Sequence, residues 1–235
     1  MNYLGRTAGK TGSVLTRRLC LASMLSLAGC VTPAIVFDRT NLARIKRIGV
    51  LTPGFPARPD IGVLPPTSGA MFLLVNSIQS GNRGREFAEV VARAGVNPEQ
   101  AFTTALVKCL QEAGMRPTLL TADPRRTSLP KDNVAVTDSE LDAVLDVVVT
   151  KYGYYAVTQA APFRPVVEMQ ARLVDARSRT VLMQDSVNMV NIAQSDPAGV
   201  SYQDYSDIAK DPTGAVQGVM SAMAVAATAI CRRLA

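Results

Sequence analysis

The spacing of apolar residues predicts a mixed α/β domain over residues 45–235. Residues 45–51, with the sequence Ile-Lys-Arg-Ile-Gly-Val-Leu, are typical of a first strand, which ends before Pro53. Prolines and glycines recur from Pro53 to Pro66, and proline both fixes the backbone and removes a hydrogen-bond donor. We therefore expect a proline-rich loop without regular structure over residues 53–68.

A helix in two parts is predicted after this loop. Ser68 is a capping residue for a first part over residues 69–79, and a second part covers residues 85–94. Gly81 and Gly84 lie between the two parts, and a glycine in a helix interior costs about 1 kcal/mol relative to alanine. We expect the helix to break at these glycines.

Two further helices carry clearer end signals. Asn97 is a favourable N-cap, and Pro98 and Gln100 follow it at the spacing of a helix start. Gly114 lies just past the apolar stripe and ends this helix. A closing helix is expected after the capping residue Asp211, because apolar residues repeat at helical spacing from there to the end of the chain.

Strands account for the remaining apolar segments. A short second strand is predicted at residues 118–120, and a brief helix capped by Asp138 precedes a central strand over residues 147–158. Strict alternation over residues 167–173 and a turn into residues 181–189 predict an antiparallel hairpin. The expected fold is α/β, with a single mixed β-sheet and helices packed on it.

The N-terminal segment reads as an export signal. Arg17 and Arg18 precede a short apolar run, which ends in the residues Leu27-Ala28-Gly29-Cys30. These four residues resemble the bacterial lipobox, in which the cysteine thiol receives a diacylglycerol and a peptidase cleaves before it. The resemblance implies a signal peptide over residues 1–29 and a lipoprotein that carries fatty acyl chains such as palmitate on Cys30.

Two other interpretations of this segment remain open. An uncleaved membrane anchor is disfavoured because the apolar run is only about half of the ~20 residues that span a bilayer. An ordinary secretory signal would leave Cys30 as a free thiol. Val31 stands where an aspartate signals retention in the inner membrane, so the expected location is the outer membrane. Residues 30–44 are then a lipidated linker, and residues 45–235 a single periplasmic domain.

The net charge of the chain gives little information about function once the signal peptide is removed. The chain has 25 lysines and arginines against 19 aspartates and glutamates. Four of the basic residues precede Cys30 and no acidic residue does, so the remainder has a formal net charge of +2. A charge this small gives no reason to expect nucleic-acid binding. Several basic residues close to Cys30 suit either anionic lipid headgroups or a solvated linker: Arg39, Arg44, Lys46 and Arg47.

The order of elements resembles that of the periplasmic α/β domains of small envelope lipoproteins. The resembling segments are residues 45–51, 110–114, 141–149, and 173–176 followed by 181–182. This class includes the N-terminal domain of TolB, the curli-secretion lipoprotein CsgG and the penicillin-binding-protein activators. The resemblance implies a fold and a compartment but no functional residue, because fold does not transfer activity.

The chain offers few groups for catalysis. It contains no histidine, which excludes histidine-based triads, Cys-His dyads and His-ligated zinc. Asp204, Asp207 and Asp211 do not match a calcium loop and are typical of helix caps. The tyrosines at 152, 154 and 155 suit either a surface that stacks on sugar rings or ordinary sheet packing. We expect no catalytic residue, metal or cofactor.

Besides Cys30, two cysteines remain after cleavage, Cys109 and Cys231, in a compartment that oxidises thiols. Both lie on the apolar stripes of predicted helices. If these helices are neighbours, a disulfide between the two residues is feasible. The other interpretation is two separate buried thiols that pack as small apolar side chains.

An uncharged stretch over residues 61–82 is the best candidate for a contact surface. It includes Met71, Phe72, Leu73 and Leu74, which make the predicted helix apolar most of the way round. Such a helix is buried in its own core, against a partner or on a membrane surface.

Binding therefore suits this sequence better than catalysis. We expect a lipid-anchored accessory or assembly factor with an envelope protein as its partner. A subunit of a secretion or transport complex is a variant of this hypothesis. The alternative from a different class is a cell-wall hydrolase that uses carboxylates.

Overall fold

The structure is a computed structural model that describes residues 34–63, 70–129, 140–187 and 200–234. For residues 70–79 it describes the backbone only. The elements in chain order are a 3-10 helix (Arg39–Ala43), β1 (Arg47–Leu51), β2 (Asp60–Val63), α1 (Ala70–Arg93), α2 (Pro98–Glu112), β3 (Arg116–Leu120), β4 (Ala143–Ala156), β5 (Arg164–Asp175), β6 (Val181–Val187), α3 (Tyr205–Lys210) and α4 (Pro212–Leu234).

The six described strands form one mixed sheet. Its order is β3-β1-β4-β5-β6, and β2 pairs with β4 on the same side as β1 but further along the strand. The strands β1, β2 and β3 run parallel to their neighbours, whereas β4, β5 and β6 form an antiparallel meander. The predicted fold class and the hairpin after the central strand are confirmed.

One face of the sheet carries the main core. Alternate residues of β4 and β5 point to this face and pack against the buried stripes of α2 and α4, with Phe87 and Val91 of α1 completing the cluster. The opposite face has a smaller cluster built on Leu51, Leu141 and Val144. The sheet is therefore covered by helices on one side and mainly by loops on the other.

The closing helix α4 is a core helix. It has 23 residues and an apolar stretch long enough to cross a membrane, but 56% of that stretch is buried inside the domain. Ala226, Ala227 and Ile230 are fully buried. Small residues let this helix approach the sheet and α2 closely. Its burial in the core explains its high apolar content.

The prediction of a structureless loop over residues 53–68 was wrong at one place, because Asp60–Val63 forms strand β2. This strand pairs in parallel with the end of β4, and Ile61 is fully buried. Pro59 immediately precedes the strand, a position where proline costs no sheet hydrogen bond. The loop from Pro53 to Pro59 remains irregular.

The predicted break at Gly81 and Gly84 was also wrong, because α1 runs without interruption through both residues. A Cβ atom at Gly84 would lie 2.6 Å from the carbonyl oxygen of Pro59. Glycine at this position lets the helix pack directly on the backbone before β2. The contact offsets the intrinsic cost of glycine in a helix.

The brief helix expected before the central strand is replaced by an earlier start of β4, at Ala143; Asp138, its predicted cap, lies outside the described residues. β4 is held on both sides, by β1 and by β5, and all residues from Ala143 to Val149 are buried. A strand buried on both faces loses the alternation that marks strands in a sequence.

Candidate binding cleft

A cleft of about 420 Å³ opens where the irregular loop after β1 crosses the sheet. Its walls come from the loop at Pro56–Pro59, from Ser80 and Gly81 on α1, and from Thr150–Tyr152 on β4. β4 has an irregularity in its pairing with β5 between Val149 and Lys151. Gly54 in this loop bridges Val148 of β4, and the cleft opens beyond that bridge, where Thr150 and Lys151 are half-buried.

Asp60 joins the three walls of the cleft. Its carboxylate accepts hydrogen bonds from the hydroxyl of Ser80 on α1 and from the hydroxyl of Tyr155 on β4. Burial raises the pKa of Tyr155 far above its usual value, and the bond to Asp60 raises it further. Tyr155 therefore stays a neutral donor, and both carboxylate oxygens of Asp60 are engaged in holding the cleft together.

Two cationic side chains lie at the cleft. The ammonium group of Lys151 is 5.0 Å from the centroid of the Tyr155 ring, which is a favourable cation–π distance. Arg58 is exposed on the loop, and its guanidinium group passes over Gly81, 3.8 Å from where a Cβ atom would lie.

Tyr152 forms part of the inner wall. Its ring meets Phe55 edge to face at 6.2 Å, so its position is fixed by the main core. Burial, followed by the negative charge of Glu99, raises the pKa of Tyr152 to about 12. The phenol is therefore neutral at physiological pH and serves as a hydrogen-bonding or stacking group.

The chemistry of the cleft suits binding. Arg58 and Lys151 supply positive charge, whereas the Ser80 hydroxyl already donates to Asp60 and the Thr150 hydroxyl to the carbonyl oxygen of Glu168. Asp60 is the only carboxylate among its lining residues, whereas hydrolysis of a glycosidic bond requires a pair that flanks the bond. An anionic or hydroxyl-rich group matches this set of donors.

A buried ion pair below the cleft was missed by the sequence analysis. Arg126, in the loop after β3, lies 2.7 Å from Asp146 in the middle of β4 and also donates to the carbonyl oxygen of Thr52 at 2.7 Å. The second carboxylate oxygen of Asp146 has no hydrogen-bond partner among the described residues. Arg172 stands opposite Asp146 in the β4–β5 register. The signal for this ion pair in the sequence was Asp146, a charged residue inside the apolar run of β4.

The predicted lipidation and contact residues fall outside what the structure describes. Cys30 precedes the described residues. Met71, Phe72, Leu73 and Leu74 belong to the first turns of α1, where the backbone alone is described. Their proposed roles stay predictions.

The structure brings Cys109 and Cys231 together, on the neighbouring helices α2 and α4. Cys231 is buried, Cys109 is half-buried, and both are free thiols here. Burial raises the pKa of Cys231, and the hydrogen bond with Cys109 raises it further. The Cys231 thiol also lies 3.9 Å from the carbonyl oxygen of Leu106. The disulfide remains a prediction, with its two partners adjacent.

The other candidate residues have structural roles. Tyr154 is fully buried and donates to the carbonyl oxygen of Ala215 at 2.9 Å. Asp204 caps α3, and Asp211 accepts from Gly214 N–H and the Tyr202 hydroxyl, each at 2.9 Å. Within the part of the chain that the structure describes, no cluster of three Cys, Asp or Glu side chains has the arrangement of a metal site.

Comparison with known proteins gives solved structures with low identity and low TM-scores. No protein-family model and no curated protein matches the chain. A DUF330 protein of Xanthomonas campestris is 11% identical, with 79% of this chain and 81% of that chain covered and a TM-score of 0.40. The PelC dodecamer of Paraburkholderia phytofirmans is 12% identical, with 81% and 94% covered and a TM-score of 0.34. A lipoprotein of Neisseria meningitidis is 20% identical, with 60% and 80% covered and a TM-score of 0.22. The function must be argued from this chain's own residues.

Proposed function

We propose that the protein is a lipid-anchored envelope protein that acts by binding, as an accessory or assembly factor on the periplasmic side of the outer membrane. It holds an anionic or hydroxyl-rich group of an envelope partner in the cleft between the loop after β1, α1 and β4. It is not an enzyme under this proposal.

The observation that carries the binding role is the make-up of the cleft. Lys151 is positioned over the Tyr155 ring, so its charge is available at little additional cost in side-chain entropy. Asp60 accepts two hydroxyl hydrogen bonds and is committed to structure. The charged groups left for a ligand are the two cations, Lys151 and Arg58, which recognise negative charge.

The location rests on the sequence Leu27-Ala28-Gly29-Cys30. Two or three acyl chains on one cysteine hold a protein on a bilayer almost permanently, because each buried CH₂ contributes about 0.8 kcal/mol. A protein held in this way meets partners within the envelope. If the partner is a multiprotein complex, the specific form of this function is that of a subunit of a secretion or transport complex.

The test is crosslinking in intact cells, followed by purification from detergent-solubilised envelopes. Lys151→Gln removes one cation from the cleft, and we expect it to reduce the yield of the crosslinked partner severalfold. Lys108→Gln is the matched control, because Lys108 is an exposed lysine on α2 paired only with Glu112 at 3.9 Å. Equal yields from the two variants would refute the cleft as the binding site.

A further inference from the structure

The segment that follows the anchoring cysteine is fixed to one edge of the sheet. Ile35 forms an antiparallel bridge with Gln184 of β6, with N–H to carbonyl distances of 2.7 and 2.9 Å. Phe37, two residues later, is buried in the main core. The N-terminal end of the described chain therefore leaves the folded domain at the β6 edge.

This exit carries exposed apolar side chains. The side chain of Val36 is 87% exposed and that of Ile35 is 40% exposed, and they are two of the four large exposed apolar side chains in the described part of the chain. The hydrogen bonds to β6 and the burial of Phe37 hold them in place. An apolar pair fixed in water next to a lipid attachment site is typical of a surface that meets a bilayer.

Charged residues lie near this exit in the chain and along the edge of β6. Asp185, next to Gln184 in β6, is paired with Arg233 of α4 at 2.5 Å. Arg39, three residues after Val36, is exposed, and Asp38 caps the 3-10 helix. No acidic partner of Arg39 is found among the described contacts, and its charge attracts the phosphates of lipid headgroups.

The length of the chain limits which face can touch the membrane. Five residue steps separate Cys30 from Ile35, and fully extended they span at most about 18 Å. A domain of this size is about 40 Å across. The tether is shorter than the domain, so the side of the domain opposite the β6 edge stays away from the bilayer.

We propose that Ile35, Val36 and Arg39, which we call the exit face, lie on the surface of the phospholipid bilayer. This inference rests on acylation of Cys30 in the proposed function. Acylation by itself limits only the distance between Ile35 and the bilayer, whereas the exit face specifies which side chains contact the lipid. The same contact with the bilayer covers the edge of β6, so that strands of other molecules cannot pair with it.

Val157 provides a matched control. It is also a valine exposed on the surface, with 57% exposure, and it follows the end of β4. Ile35, Gln184, Arg172 and Asp146 form one row across the sheet. Val157 is 11 residues beyond Asp146, or about 36 Å along the strand direction, so it lies far from the exit segment.

The experiment uses the full acylated lipoprotein in vesicles of phosphatidylethanolamine and phosphatidylglycerol. Val36→Cys and Val157→Cys are each labelled with an environment-sensitive fluorophore, and wild-type protein treated in the same way reports background labelling of Cys109 and Cys231. We expect a blue-shifted emission at position 36 and severalfold stronger quenching by spin-labelled lipid there than at position 157.

Each outcome decides between the hypotheses. Equal quenching at the two positions in acylated protein overturns the exit face and leaves the proposed function standing. A blue shift at position 36 without quenching by lipid indicates a protein surface there, such as a second copy of this chain, and also overturns the proposal. Intact-mass analysis that finds no diacylglycerol on Cys30 overturns the anchor and this inference together.

Discussion

Removal of Arg126 is the sharpest test of the energetics of this fold. The side chain of Asp146 is 1% exposed and that of Arg126 is 16% exposed, so their 2.7 Å ion pair is shielded from water. Arg126→Ala leaves the carboxylate in the sheet and takes away its counter-charge. It also removes the donor to the carbonyl oxygen of Thr52. The carboxylate must then be solvated by a rearrangement of the loop.

The magnitude follows from the burial of this pair. Removing one partner of a buried ion pair costs about 3–5 kcal/mol, mostly because the remaining charge is left without compensation. Arg172 lies opposite Asp146 and supplies a second positive charge, so we expect the lower end, about 3 kcal/mol. For a chain of this size each kcal/mol lowers the melting temperature by about 2–4 °C, which predicts a fall of about 9 °C.

The control is the preceding residue. Arg125 pairs with Glu99 at 2.8 Å, but its side chain is 56% exposed, and a surface pair of this kind contributes at most about 1 kcal/mol. Thermal and urea unfolding of both alanine variants in detergent, followed by far-UV circular dichroism, measures the difference. Equal loss of stability in the two variants would refute the reasoning. The double variant Arg126→Met with Asp146→Leu should recover most of the loss, because it removes both buried charges.

Three further predictions concern the anchor, the thiols and an acidic side chain. Cys30→Ser should abolish acylation and leave the precursor with its signal peptide, and intact-mass analysis of an unmodified mature protein that starts elsewhere would contradict this. Cys109 and Cys231 should resist rapid thiol labelling in the folded, oxidised protein, because burial keeps the Cys231 thiol protonated; fast labelling of either thiol is the opposing result. Burial opposes ionisation of Asp175, but hydrogen bonds, first from the Ser178 N–H, outweigh it and lower the pKa to about 2. The stabilisation from this carboxylate is therefore complete above about pH 4 and is lost as the pH falls to about 2. Asp175→Asn should lower the free energy of unfolding by about 2 kcal/mol at neutral pH. In urea unfolding, the difference between this variant and the wild type should shrink in acid.

Elements with local signals were predictable from the sequence. Asn97 accepts a hydrogen bond from the Gln100 N–H at 3.1 Å, so α2 begins after the capping residue that the sequence predicts. The hairpin of β5 and β6 alternates because one face of β5 meets the core and the other meets solvent over part of its length. In both cases the physical cause acts within a few residues.

Elements that depend on distant partners were not predictable from the sequence. The strand β2 exists because residues about 90 positions later offer an open strand edge. The cleft depends on the bond between Asp60 and Tyr155, which are 95 residues apart, and the Arg126–Asp146 pair joins a loop to the centre of a sheet. No spacing rule in one sequence gives the register of such contacts.

The exit face and the cleft together determine from which side a partner approaches. The strand order from the Ile35 bridge to β6, β5, β4 and β2 contains four inter-strand steps of about 4.8 Å, which places the β2 edge about 19 Å from the exit segment. Thr150–Tyr152 lie several residues further along β4 than Asp146, which is level with Ile35, so the cleft is also displaced along the strands. With the exit face on the bilayer, lipid headgroups cannot reach Arg58 and Lys151. The anionic group that these cations select must then come from a partner on the periplasmic side, so a variant of Lys151 should lose its partner while it keeps full membrane attachment.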